Sequence, residues 1–129
     1  MSHQIPIRVY YEDTDLAGIV YYANYLKFIE RGRTDWLRDM GIDQSALKAE
    51  AGVVFAVRRI EADYLSPARF DDLLTVETDL AAATAARIVV DQRVTRAGVT
   101  LFSARVTIAC LGPSGRPTRI PNAVRTAIA

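Results

Sequence analysis

A chain of 129 residues, half of them hydrophobic and 24% charged, has the balance of one globular domain over 1–129 and excludes a disordered or fibrous protein. The net charge of +1 excludes a general attraction to nucleic acid or to an anionic membrane, so any anionic ligand needs a local cluster of cations. A chain this short buries roughly two-thirds of its surface on folding and has little room for an enclosed pocket, which makes a pocket shared between subunits attractive.

The single cysteine, Cys110, excludes an intrachain disulfide, and with His3 as the only histidine no Cys/His zinc spacing exists. No metal and no separate cofactor is therefore expected. The start, Met-Ser-His-Gln-Ile-Pro, has no basic region and no long apolar run, and no stretch approaches the roughly 20 apolar residues of a membrane span. With one free thiol, the expected location is the cytoplasm and no integral membrane segment is expected.

In chain order, Ile5 to Glu12 is rich in β-branched and aromatic residues and predicts a first strand, with Pro6 near its start. Asp13-Thr14-Asp15-Leu16-Ala17-Gly18 breaks that pattern with turn formers. From Tyr22 to Met40 the positions Tyr25, Phe28, Ile29, Gly32, Trp36 and Met40 recur at helical spacing, opposite Lys27, Glu30, Arg31, Thr34, Asp35 and Arg38. That predicts one long amphipathic helix ended by Gly41. Gly32 stands on its apolar stripe, where a helix-propensity cost of about 1 kcal/mol makes sense if the helix approaches something closely. A short helix over Gln44–Ala51, closed by Gly52, follows.

The remainder predicts strands at Val53–Leu65, Leu73–Leu80, Arg87–Arg96 and Val99–Leu111. Ala97-Gly98 marks a tight antiparallel hairpin, and the alanine-rich stretch from Ala81 to Ala86 reads as strand ends around a turn. One strand, one long helix and four more antiparallel strands give an α+β domain whose sheet packs on the helix. The second face of that sheet then needs a cover or a partner.

Functional groups are densest from Tyr10 to Tyr25, where a strand hands over to a helix N-terminus. Free backbone N–H groups and the positive end of the helix dipole meet there, so an oxyanion would be stabilised. A carboxylate in the adjoining loop could serve as base or nucleophile on a carbonyl held against those donors. The residues alone leave Asp13 and Asp15 equivalent, and both equally suit a plain turn-forming role.

Glu12-Asp13-Thr14-Asp15, Gly18, Val20-Tyr21, Asn24-Tyr25, Phe28 and Glu30-Arg31 resemble, in order and spacing, the signature of the hotdog-fold acyl-CoA thioesterases. That family includes the 4-hydroxybenzoyl-CoA thioesterases and the Tol-Pal-associated acyl-CoA thioesterases. The resemblance runs on through Phe55-Ala56-Val57-Arg58, the segment from Tyr64 to Asp72, and Arg116 to Pro121. It implies a hotdog: an antiparallel five-stranded sheet wrapped around one long central helix, paired into a homodimer and further into a tetramer, with active sites between subunits. It also implies hydrolysis of an acyl-CoA, with Asp15 as the catalytic carboxylate, the Tyr22 backbone N–H as oxyanion donor, and Asp13 structural. Gly18, Val20, Asn24 and Tyr25 are then the substrate-binding part of the signature.

Coenzyme A, part of the substrate, needs cations for its phosphates, and Arg58, Arg59, Arg69, Arg87, Arg116 and Arg119 are available. Arg58, Arg69 and Arg87 are the three assigned to it, although each alone also suits a solvated surface charge. Two departures matter. Tyr22 stands where many Tol-Pal-associated members have histidine, so the chemistry has no imidazole, His3 lying before the first strand. Thr84-Ala85-Ala86-Arg87 offers a single arginine where the hydroxybenzoyl branch has a basic cluster, so that branch's substrate does not carry over. A rival reading is an acyl-CoA or acyl-carrier-protein binding and scaffolding module of the Tol-Pal envelope system. A dehydratase hotdog needs a histidine the site lacks. Ser114 lacks both the G-x-S-x-G spacing and a histidine, and Cys110 lies in an apolar strand where a thiol is buried and inert.

Overall fold

The computed structural model describes residues 2–129. The elements are β1 (His3–Arg8), a 3-10 turn (Tyr11–Asp13), α1 (Asn24–Asp39), α2 (Gln44–Ala51), β2 (Val54–Tyr64), β3 (Leu73–Ala83), β4 (Arg87–Arg96), β5 (Val99–Leu111) and α3 (Asn122–Ile128). All strands pair antiparallel in one sheet of order β1-β3-β4-β5-β2, which leaves β1 and β2 as its edges. α1 lies across one face. The expected α+β arrangement is the one observed.

Local chemistry accounts for the joints. Ala97 (φ 48) and Gly98 (φ 82) are both left-handed and turn β4 into β5, the backbone that a tight hairpin matched to strand twist requires. β3 continues past Leu80 through a bulge between Leu80 and Ala82. Thr84 then closes the turn, its N–H donating to the Arg87 carbonyl at 2.8 Å. The alanine run is thus strand end plus turn, as its composition suggested.

Two elements differ from expectation. β1 begins at His3 and ends at Arg8, opposite Leu73 where β3 itself begins. Beyond it the partner chain turns away through Asp71, whose φ is 70. His3 therefore lies inside the first strand, paired with Thr78, and its Nε2 meets the Asp39 carboxylate at 2.7 Å. The second difference is α3, which seats Val124 and Ile128 in the core. Two turns after Pro121 are too few for helical periodicity to register.

Tyr25, Phe28, Ile29, Gly32, Trp36 and Leu37 form the buried stripe of α1. They face Val76, Val90, Val94, Phe102 and Val106, each fully buried. At Gly32 helix and sheet approach closely: a Cβ there would stand 2.7 Å from Val76 Cγ1. Beside it Gln92, also fully buried, donates to the Ile29 carbonyl at 2.8 Å and to Thr78 Oγ1 at 2.9 Å, and accepts from Arg33 at 3.0 Å. The outer sheet face carries ion pairs, Arg93 with Glu77 and Asp79, and Arg105 with Asp91. An antiparallel face of that kind tolerates water, so the case for a partner moves from this face to the edge. β2 is an edge of 11 residues with a bulge between Val57 and Arg59 and exposed Val54, Val57 and Tyr64. No helix among the described residues is long and apolar enough to cross a membrane.

Candidate active site

The loop before α1 is tied by its own backbone. Thr14 bridges to Val20, the Asp15 N–H donates to the Ile19 carbonyl at 3.0 Å, and the Gly18 N–H donates to the Asp15 carbonyl at 2.9 Å. Gly18 has φ 80, a conformation that side chains disfavour. Asp13 braces the loop: one carboxylate oxygen, Oδ2, accepts from the Tyr10 N–H at 2.8 Å, and its backbone carbonyl accepts from the Tyr21 N–H and from Asn24 Nδ2, both at 2.9 Å. Asp15 is exposed, and one carboxylate oxygen, Oδ1, accepts from the Ala17 N–H at 2.9 Å. Its other oxygen has no hydrogen-bond donor among the described residues.

The neighbouring loop, 66–72, braces this one. The Val20 N–H donates to the Ala68 carbonyl at 2.8 Å and Ile19 bridges to Arg69. Tyr25 Oη accepts from the Ala68 N–H at 3.1 Å while its ring stacks on Phe102 at 5.0 Å. Asp72 holds the far end, accepting from the Arg69 N–H at 2.8 Å and from Arg96 at 2.7 Å. Burial raises the Asp72 carboxyl, but those hydrogen bonds and the charge of Arg96 outweigh it and hold the group below its ordinary value. Val20, Asn24 and Tyr25, expected to bind substrate, have buried side chains and serve as the frame of the loop.

The start of α1 is uncapped. Ala23 occupies the capping position and supplies no side-chain acceptor, where Ser, Thr, Asp or Asn would satisfy a donor. The Tyr22 and Ala23 N–H groups have no acceptor among the described residues, whereas the Tyr21 carbonyl accepts from the Asn24 N–H at 2.8 Å. The Tyr22 carbonyl accepts instead from the phenol of Tyr64 at 2.9 Å. Sequence reasoning placed Tyr64 at the end of a strand and within the resembling segment but gave it no role at the site. The Tyr22 ring is exposed and lies against Tyr21 and Tyr64.

The six arginines do not form one cluster in one chain. Arg69 adjoins the Asp15 loop. Arg87 opens β4 opposite Ala109, itself paired with Ala56 near the start of β2, and Arg58 sits at the β2 bulge. From Ala56 to Tyr64 the strand runs about 26 Å at roughly 3.3 Å per residue. Arg116 and Arg119 flank Pro117, which bridges to Leu111 at that same far end, and Arg59 pairs with Glu61. A cavity of about 300 Å³ with a mixed lining also lies away from Asp15, bounded by the polar Glu30, Arg33 and Gln44 and by the apolar Trp36, Phe55 and Ile108.

His3 contacts the last residue of α1, a helix length of about 24 Å at 1.5 Å per residue from the Tyr22 end. No imidazole therefore stands beside Asp15. Cys110 is buried, and burial pushes its thiol up, which leaves it inert at neutral pH. Ser114 is an exposed turn residue.

A profile of the thioesterase-like superfamily matches residues 9–128. The chain belongs to that superfamily. It is 43% identical over 124 residues to the acyl-CoA thioesterase YbgC of Haemophilus influenzae, covering 95% of this chain and 90% of that one. A crystal structure of a probable thioesterase from Bartonella henselae superposes with a TM-score of 0.90 at 37% identity, covering 94% of this chain and 100% of the other. A 4-hydroxybenzoyl-CoA thioesterase variant complexed with 4-hydroxybenzoyl-CoA has the same fold, with a TM-score of 0.93 at 21% identity and 99% of each chain covered. The expected hotdog is the fold adopted.

Proposed function

We propose that this chain hydrolyses acyl-CoA thioesters to a free acid and coenzyme A at a site between two copies of the chain. The observation that carries the reading is the unsatisfied Tyr22 N–H at the uncapped start of α1, which ends the same backbone-tied loop that carries the exposed Asp15 carboxylate. The likeness to acyl-CoA thioesterases supports the substrate class.

The thioester carbonyl oxygen faces the Tyr22 N–H, and Asp15 acts on the carbonyl carbon either directly or through water. In the direct route a carboxylate oxygen adds, the C–S bond breaks and coenzyme A leaves as thiolate; water then hydrolyses the mixed anhydride. In the water route Asp15 takes a proton from water as its oxygen adds, and that proton passes to the departing sulfur. In both routes the negative charge that builds on the carbonyl oxygen is met by fixed N–H donors.

The oligomer follows from the edge. Isologous antiparallel pairing of β2 with β2 of a second copy sets the Val54–Arg58 end of one chain against the Tyr64 end of the other. Arg58 and Arg87 of one copy thereby approach Asp15 and Arg69 of the other, which supports phosphate binding across the interface. A tetramer is two such pairs.

Asp15→Asn is expected to lower turnover by at least about a hundredfold, and near-normal turnover sinks the assignment. Mixing Asp15→Asn with Arg87→Ala protein tests the shared site. A hybrid pair keeps one intact site if Asp15 and Arg87 come from different chains, restoring about a quarter of wild-type activity. No restoration refutes the shared site. If every acyl-CoA and acyl-carrier-protein thioester tried gives kcat/KM below roughly 10² M⁻¹s⁻¹, against typical values above 10⁴, the binding-module reading replaces hydrolysis.

A further inference from the structure

Among the described residues, Tyr64 is the one side chain that hydrogen-bonds to the backbone of the proposed oxyanion donor. It ends edge strand β2, and its phenol donates to the Tyr22 carbonyl at 2.9 Å across 42 residues of sequence. That carbonyl has no helical duty, because the Leu26 N–H donates to the Ala23 carbonyl at 3.2 Å. The phenol is thus what fixes the peptide joining Tyr22 to Ala23, while the preceding peptide is fixed by the Asn24 N–H. Two adjacent peptides each have a bonded carbonyl and a free N–H. Hydrogen bonding to a carbonyl polarises the N–H of the same peptide and strengthens it as a donor.

The Tyr64 ring is itself held, edge-on to Phe102 at 5.0 Å and to Tyr25 at 5.6 Å. Those rings belong to the core, so the hydroxyl is aimed by packing despite being half-exposed. Partial burial, followed by the neighbouring Tyr22 and Tyr25 phenols, pushes the hydroxyl up from its ordinary value, and it stays protonated and donating at neutral and mildly alkaline pH.

We infer that Tyr64 is a positioning residue for thioester hydrolysis: its phenol fixes and polarises the Tyr22–Ala23 peptide, making the Ala23 N–H a second oxyanion donor beside that of Tyr22. The inference rests on the proposed Asp15 and Tyr22 site and gives Tyr64 a role that the resemblance does not assign. A group that acts only on the donors to the developing charge lowers kcat and leaves ground-state binding alone.

The test is steady-state kinetics of Tyr64→Phe on a cleaved acyl-CoA, with Asp15→Asn assayed in parallel. Loss of one neutral hydrogen bond predicts a three- to tenfold fall in kcat, roughly, with KM unchanged and thermal stability equal to wild type. The Ala23 amide proton should move upfield in the NMR spectrum of the same variant, as the polarisation of its peptide is lost. An unchanged kcat, or a raised KM at unchanged kcat, overturns the positioning role, as does a fall in kcat matched by a fall in melting temperature with an unaltered Ala23 amide shift. Inactivity of Asp15→Asn together with full activity of Tyr64→Phe refutes Tyr64 alone, whereas an active Asp15→Asn refutes the underlying site.

Discussion

Gly32→Ala puts the seating of α1 on the sheet to a quantitative test. The added Cβ would meet Val76 Cγ1 at 2.7 Å, Gln92 Nε2 at 3.2 Å and Thr78 Oγ1 at 3.3 Å. None of the three is a loose chain end: Val76 is fully buried in β3, and Gln92 and Thr78 are hydrogen-bonded to each other at 2.9 Å. The helix must lift or the Gln92 network must break. Overpacking of this kind costs about 1–3 kcal/mol, while alanine returns about 1 kcal/mol of helix propensity, so the net loss is up to about 2 kcal/mol. Urea denaturation, read at one protein concentration because association shifts apparent stability, should show a lower midpoint with an unchanged slope. The accompanying fall in melting temperature is several degrees, on the order of 3–5 °C per kcal/mol for a domain of this size. A midpoint at or above wild type refutes the close approach.

Gln92→Leu strips the half-buried Arg33 guanidinium of its hydrogen-bond acceptor and the Ile29 carbonyl of its donor, and urea midpoints should show a loss of about 1–3 kcal/mol; a neutral result would mean that Arg33 finds another partner. Asp72, held below its ordinary value, contributes stability that is full above about pH 4 and fades as the pH falls through its folded value. With both members of the Asp72 and Arg96 pair partly exposed, the amount is under about 1 kcal/mol. The melting-temperature gap between wild type and Asp72→Asn should therefore narrow from pH 7 to pH 3, and a widening gap refutes the assignment. Native protein should resist a thiol reagent at Cys110 that reacts promptly once urea is added; stoichiometric native labelling within seconds contradicts its burial.

Where residues of one kind recur with a period, the sequence was readable. The α1 stripe, the outlying Gly32 on it, the β4–β5 hairpin at Ala97-Gly98 and the alanine turn all follow from local preferences that tertiary contacts left alone. β1 was misplaced because its end depends on where β3 begins, a partner 65 residues away through the Arg8 and Leu73 pairing. α3 is too short to show a period. At the site, backbone propensities marked the loop and helix start, and the family signature alone separated Asp15 from Asp13. The hydrogen bonds do not make that separation, since each carboxylate accepts one backbone N–H, from Tyr10 and from Ala17; the two differ in exposure, Asp15 being exposed and Asp13 half-buried. Tyr64 was invisible because its role is a contact with a backbone carbonyl, which no residue type announces.

The surroundings of Asp15 in the single chain bear on why the proposed site needs a second copy. Leu16 next to it is fully exposed, Tyr11 is 82% exposed, and Phe70, Leu65 and Tyr22 are each about 60% exposed. Such a concentration of large apolar side chains on a monomer's surface marks an interface or a ligand site. It adjoins the Tyr64 end of β2, an edge whose backbone groups are unpaired. A carboxylate and two N–H donors in open water gain little, because water competes for the same hydrogen bonds; their value rises once the site is dry. In the proposed site one chain would supply the carboxylate, the N–H donors and the apolar rim, and Arg58 and Arg87 lie toward the far end of the same strand. Antiparallel pairing of β2 with a second β2, as proposed, would meet both deficits with a single contact, bringing those arginines close and covering the rim. A dry site at the exposed Asp15 loop would be reached most simply by that route.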